Sequence, residues 1–149
     1  MHVARMPVIN DLDFRAWEER APAAFRTDPA WRFHAYRVAL YALDCARDDM
    51  PAIRRVSGGA IADQLLRCIA STSANIGAGL GCPTSPDRAR FISMALGSLR
   101  ESFTWYQSAS DALDQATIDH RLNDLAELRS LLLGYQKWLT TKDEKSRLT

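Results

Sequence analysis

The sequence predicts an all-α protein, an antiparallel four-helix bundle with a short N-terminal helical extension. Three observations predict it. Four long segments repeat their apolar residues at spacings of three and four, which puts them on helix faces. No run alternates apolar and polar residues as a half-buried strand would. The connections are short, which favours antiparallel neighbours. The 149 residues are 47% hydrophobic and 25% charged, the composition of one folded domain. The predicted organisation is an extension over 1–28, a bundle over 29–142 and a charged tail over 143–149.

The extension holds Leu12, Phe14 and Trp17 among charged residues, which predicts a short helix within 8–26, broken near Pro22. Asp28 before Pro29 reads as a cap followed by proline at the first helical position. The first long helix is expected from Pro29 to Asp49, ending before Pro51. It carries two nearly opposite apolar stripes: Trp31, Ala35, Val38, Ala42 and Cys45 on one side, Phe33, Tyr36, Leu40 and Leu43 on the other. A helix with two apolar faces needs two partners.

The second long helix follows Ser57-Gly58-Gly59 and runs to about Gly79. Leu65, Ile69, Thr72, Ile76 and Leu80 form its core stripe, and Ala70, Ala74 and Gly77 a strip small enough for close approach. Gln64, Arg67, Ser71 and Asn75 form a polar strip. The third starts with Ser85 as N-cap and Pro86 at the first helical position, and runs to about Leu113. Its stripe of Ile92, Ala95, Leu99, Phe103 and Tyr106 is widened by Phe91, Met94 and Trp105. The fourth, from about Asp119 to Lys142, repeats Leu125, Leu128, Leu132, Tyr135 and Leu139 like a coiled-coil seam, with Leu131 and Trp138 as a second flank.

Composition narrows the function classes. Nineteen basic and 18 acidic residues give a net charge of +1, which disfavours a strongly cationic nucleic-acid binder but leaves room for a local patch. Residues 50–100 hold six arginines and only two acids, so Arg54, Arg55, Arg88 and Arg90 are the candidate contacts for an anion or nucleic acid. Three cysteines with no C-x-x-C predict free thiols and a cytoplasmic setting. The opening stretch 1–7 has no apolar run that could act as a signal. His2, His34 and His120 make no i, i+4 pair and no Glu-x-x-His motif, so neither metal nor cofactor is expected. His34 reads as a buried, hydrogen-bonded side chain. Gly77-Ala78-Gly79-Leu80-Gly81 looks like a dinucleotide loop, but a helix precedes it, so it reads as a helix terminus.

Gln64, Arg67, Ser71, Asn75-Ile76 and Gly79, followed by Phe91, Ala95, Gly97-Ser98-Leu99 and Glu101, form a paired motif over about 64–101. It resembles the small four-helix-bundle proteins encoded within intervening sequences of bacterial 23S ribosomal RNA genes. More distantly the chain is similar to the bundle accessory protein of diversity-generating retroelements. The resemblance spans roughly 29–140. It implies an up-and-down, left-handed bundle, a ring-like homopentamer and, from where the genes lie, an association with RNA. Ala78 stands where that family commonly has Glu, and Cys82 where it often has a basic residue.

The polar residues of the motif are expected to be structural. Arg67 would pair with Glu101, while Ser71, Asn75 and Ser98 hydrogen-bond between helices beside a small Gly97. The excess apolar surface predicts self-association, with Phe33, Tyr36, Leu40, Leu43, Phe91, Met94 and Trp105 as candidate interface. The function expected is a non-enzymatic, cytosolic, homo-oligomeric scaffold whose partner is RNA or another protein. The competing readings are a small-ligand binder or enzyme with its site between subunits, and a purely structural oligomer.

Overall fold

A computed structural model describes residues 11–148, with side chains described from Leu12 to Arg147. His2, the stretch 1–7 and the first residues of the expected leader helix lie outside the described residues. The described residues form six α-helices and two 3-10 turns, with no strand among them. The helices are α1 (Asp11–Arg20), α2 (Ala23–Arg26), α3 (His34–Val56), α4 (Gly59–Gly81), α5 (Ser85–Ser108) and α6 (Gln115–Leu148). The 3-10 turns span Pro29–Arg32 and Ser110–Ala112.

Several boundaries differ from the sequence expectation, each for a local reason. Asp28 does cap, accepting from the Ala30 N–H at 2.7 Å, but it caps the 3-10 turn. Phe33 then takes extended backbone, and α3 begins at His34. Pro51 does not end α3. It removes one backbone donor, yet the helix continues to Val56 because Asp49, Met50 and Ile53 around it are buried. The N-cap of α5 is Thr84 rather than Ser85: its hydroxyl accepts from the Asp87 N–H at 3.3 Å and donates to the Asp87 carboxylate at 2.6 Å. The third long helix ends at Ser108 instead of Leu113, and the fourth starts earlier and runs on to Leu148. An Asp143–Arg147 pair at 3.0 Å, one helical turn apart, supports that last stretch.

The four long helices pack in a closed cycle: α3 on α4, α4 on α5, α5 on α6, and α6 back on α3. One stripe of each long helix faces the interior, while Phe33, Tyr36, Leu40 and Leu43 on the second face of α3 are only partly buried. Val38 and Ile53, Leu65, Ile69 and Ile76, Ile92 and Leu99, and Leu125, Leu128, Leu132 and Leu139 are all almost fully buried. Each such side chain contributes about 1.5–3 kcal/mol relative to exposure. The small residues that permit close approach are Gly77 and Gly79. A Cβ on Gly77 would sit 3.3 Å from the Tyr36 ring, and one on Gly79 would sit 3.0 Å from Phe91 Cβ. Gly97, expected to play that part, faces open space.

The leader folds back on α3. Phe14 is buried and meets Tyr41 edge-on at 5.4 Å and His34 at 5.7 Å. Trp17 stacks on Trp31 and its indole N–H donates to Asp44 at 2.7 Å. Arg37 pairs with Glu18 at 2.6 Å and also donates to the Trp31 carbonyl. The leader thus covers the His34, Arg37, Tyr41 and Asp44 side of α3, which belongs to neither of its two apolar stripes.

Candidate functional site

The polar strip of α4 meets α5 through side chains one turn apart. Ser71 and Ser98 hydroxyls lie 3.0 Å apart. Asn75 Nδ2 donates to the Ser71 carbonyl at 2.9 Å and to its hydroxyl at 3.2 Å, so it steadies Ser71 from the same helix. Gln64, about two turns earlier on α4, is half-buried. The expected Arg67–Glu101 pair does not form: the Glu101 carboxylate accepts instead from the Cys68 thiol at 3.2 Å. One residue along a helix is about 100° around it. That turn carries Cys68 into the seam and leaves Arg67 exposed. Burial, followed by the Glu101 carboxylate, pushes the Cys68 thiol up to about 11. It stays a protonated donor and is a poor nucleophile.

The four candidate cations do not form one patch. Arg54 is bound to Asp63 at 2.6 Å, and Arg88 donates its Nε–H to the Cys82 carbonyl at 2.6 Å, holding the end of α4. Arg55 is exposed at the end of α3, and Arg90 is exposed with its guanidinium 5.4 Å over Phe91. Arg54 and Arg55 flank the start of α4, Arg88 and Arg90 its end, so about 35 Å of helix separates the two pairs.

The candidate interface residues divide as well. Phe33 packs on Tyr135 at 4.6 Å, Tyr36 on Gly77, and Phe91 on Gly79. Leu40 and Leu43 floor a groove of about 810 Å³ walled by Trp17, Phe25 and Trp31 of the leader region. Trp105 is half-buried against the core. Met94 alone of the seven is half exposed, at 50%. Leu133 at 49% and Trp138 at 52%, both on α6, are as exposed, with Trp138 stacked on Tyr135 away from Leu133. Between α5 and α6 lies a second groove of about 620 Å³, with Leu96, Leu99, Phe103 and Leu133 among its lining. Gln136 closes one end by donating to Ser93 at 2.6 Å, and Arg129 covers Phe103 at 5.0 Å near the other.

Sequence reading missed a buried charged cluster between α3, α5 and α6. Arg121 clamps both oxygens of Asp49, at 2.8 and 3.0 Å, and the Tyr106 hydroxyl donates to the same carboxylate at 2.9 Å. Burial and the Asp49 charge hold the Tyr106 hydroxyl well above its ordinary range. Beside it, Asp124 is 3% exposed, and burial raises its carboxyl to about 6. His120 Nδ1 is 3.4 Å from Asp124 Oδ2 without hydrogen-bond geometry. Burial also pushes the nearby Cys45 thiol up to about 11. A signal existed: Asp49 continues the Trp31–Cys45 stripe by one further step of four, and Arg121 precedes Leu125 by the same step. His34, expected to be buried, has 43% of its side chain exposed at the leader edge.

The family described as 23S rRNA-intervening sequence protein matches residues 54–134, more than half of the chain. The chain belongs to this family. No curated protein matches it. Within this family member the match contains both sides of the Ser71–Ser98 seam, Arg121 and most of the α5–α6 groove. It excludes the leader and Asp49, so the buried ion pair joins a residue inside the matched region to one outside it. Of the two departures from the family pattern, Ala78 is exposed, and Cys82 is half-buried with its thiol donating to the Ala78 carbonyl at 3.4 Å. Among the described residues of this family member, no helix is long and apolar enough to cross a membrane.

Proposed function

We propose that this chain is a non-enzymatic scaffold, an antiparallel, up-and-down, left-handed four-helix bundle whose copies assemble into a closed ring. Resemblance to the family suggests a homopentamer in the cytoplasm. The observation that carries the reading is the α5–α6 side. Leu133 remains half exposed in an open groove lined by Leu96, Leu99 and Phe103, whereas the leader packs over part of α3. A lone domain rarely leaves such surface wet, and a second copy would shelter it. A structural role for the seam supports the non-enzymatic part: its thiol is held protonated and its hydroxyls bond to each other.

Leu133→Glu tests the assembly. It places a charge on an exposed helical position that the isolated fold tolerates. The helical circular dichroism is expected to stay unchanged while the assembled mass falls. An unchanged mass would remove the α5–α6 side from the interface. RNA is the second reading, favoured by Arg55 and Arg90, which are exposed and are repeated in every copy of a ring. Binding through them would weaken steeply with salt, and a salt-independent or absent mobility shift would reject it.

A further inference from the structure

We propose that the junction of the leader, α3 and α6 is a pH-sensitive clamp: the His34–Glu127 and His120–Asp124 pairs hold the leader down through Phe14 and Tyr41 while they carry their protons, and slacken it when the protons leave. The clamp lies within one chain and does not depend on self-assembly.

The two pairs form one array across the α3–α6 contact. Glu127 follows Asp124 by three residues, so the two carboxylates are neighbours on α6. His120 precedes Asp124 by one turn, with Nδ1 3.4 Å from Oδ2. At the other end His34 of α3 brings Nε2 to 3.9 Å from Glu127 Oε1. Asp124 Oδ2 and His120 Nε2 are buried and make no hydrogen bond among the described residues. A buried carboxylate in that position is costly as an anion unless a cation faces it. His120 supplies that cation only when protonated.

The leader rests on this array. Buried Phe14 meets the His34 ring at 5.7 Å and the Tyr41 ring at 5.4 Å, and Trp17 meets Tyr41 at 5.7 Å. The charges of Asp124 on α6 and Asp13 on the leader both act on the Tyr41 hydroxyl. A protonated His34 gains an ion pair with Glu127 and puts a cation beside the Phe14 ring. Proton loss removes both contacts. It leaves Asp124 and Glu127 as adjacent anions beneath the residue on which the leader sits.

The remaining groups at the junction are balanced or hold their protons. Arg37 approaches His34 Nδ1 at 3.4 Å, and Glu18 neutralises it at 2.6 Å. Arg121 approaches His120 Nδ1 at 3.4 Å, and Asp49 neutralises it. Burial raises Tyr41, Cys45 and Tyr106, so all three stay protonated near neutrality. Histidine is the side chain whose charge ordinarily changes between pH 5 and 8. Burial, opposed by His120 and Arg121 and aided by Glu127, brings the Asp124 carboxyl up to about 6, into the same window. The closed junction binds that proton more tightly, so closure is favoured in acid and lost as pH rises through about 6.

Hydrogen exchange read by mass spectrometry tests this on the full chain, near pH 5 and near pH 8. Rates are converted to protection factors, which removes the intrinsic effect of pH. Leader amides 15–20 are compared with core amides 62–76 of α4. In the wild type, leader protection relative to α4 is expected to fall about tenfold from the lower pH to the higher, the effect of one unit of difference between closed and open forms. In His34→Gln/Asp124→Asn the ratio is expected to be the same at both. His34→Gln alone changes a side chain that is 43% exposed, so the fold survives, and it is expected to show a smaller fall than the wild type. A wild-type leader that keeps pace with α4 at both pH values would overturn the clamp. So would a full wild-type fall in His34→Gln, or one that persists in the double variant.

Discussion

Replacing Arg121 by Met should be among the most damaging single changes in the chain. Arg121 supplies two of the three hydrogen bonds that Asp49 accepts, at 2.8 and 3.0 Å, and only Tyr106 remains when it is gone. The Asp49 side chain is 6% exposed and cannot turn to water. Removing one partner of such a pair leaves an uncompensated buried charge and typically costs about 3–5 kcal/mol. Tyr106→Phe removes one hydrogen bond to a charged acceptor and should cost about 1.5–3 kcal/mol. Replacing both charges, with Asp49→Leu and Arg121→Met together, should cost far less than the single Arg121 change, because no buried charge is stranded. Urea denaturation followed by circular dichroism measures all of these, at one protein concentration so that any assembly contributes equally. Arg121→Met within about 1 kcal/mol of wild type, or a double variant as unstable as the sum of its singles, would refute the reasoning.

Other expectations follow from the same packing. Asp124 has a folded-state carboxyl raised to about 6 from an ordinary 3.8, so the folded form binds its proton more tightly than the unfolded form. The stabilisation from that proton is complete below the unfolded value and is lost as pH rises through about 6. Asp124→Asn should therefore raise stability near pH 8 by about 2–3 kcal/mol and do little near pH 4, and a pH series of denaturation midpoints checks it. Gly79→Ala should destabilise by about 1–3 kcal/mol because its Cβ meets Phe91 Cβ at 3.0 Å, whereas Gly134→Ala, facing open space, should stabilise by about 0.5–1 kcal/mol. Thermal unfolding separates the two signs. Of the three free thiols, Cys82 should react with a disulfide reagent at mild pH well before Cys45 and Cys68, which are buried and held near 11. Equal rates at all three would contradict the seam.

Much of the helical plan is legible because each long helix buries a stripe at regular spacing, and Leu125, Leu128, Leu132 and Leu139 show it in one glance at the fourth. Boundaries are less legible. Proline is a local signal against helix, and at Pro51 it is outweighed by the tertiary burial of Met50 and Ile53 on either side. The seam between α4 and α5 shows the limit of strip reading. Arg67 and Cys68 are neighbours, and a turn of about 100° decides which one reaches Glu101. Asp49 and Arg121 lie 72 positions apart, so their pairing appears only once α3 and α6 are packed. The four candidate arginines of the middle third divide between the two ends of α4, because a helix that long separates residues close in composition but not in register.

The central claim is that this family member shelters its open α5–α6 side with copies of itself. The most direct test is the molar mass of the wild-type protein in solution, by light scattering across a range of concentrations. Self-assembly requires a discrete multiple of 16.7 kDa that persists at micromolar concentration. A single species at 16.7 kDa throughout that range would contradict it.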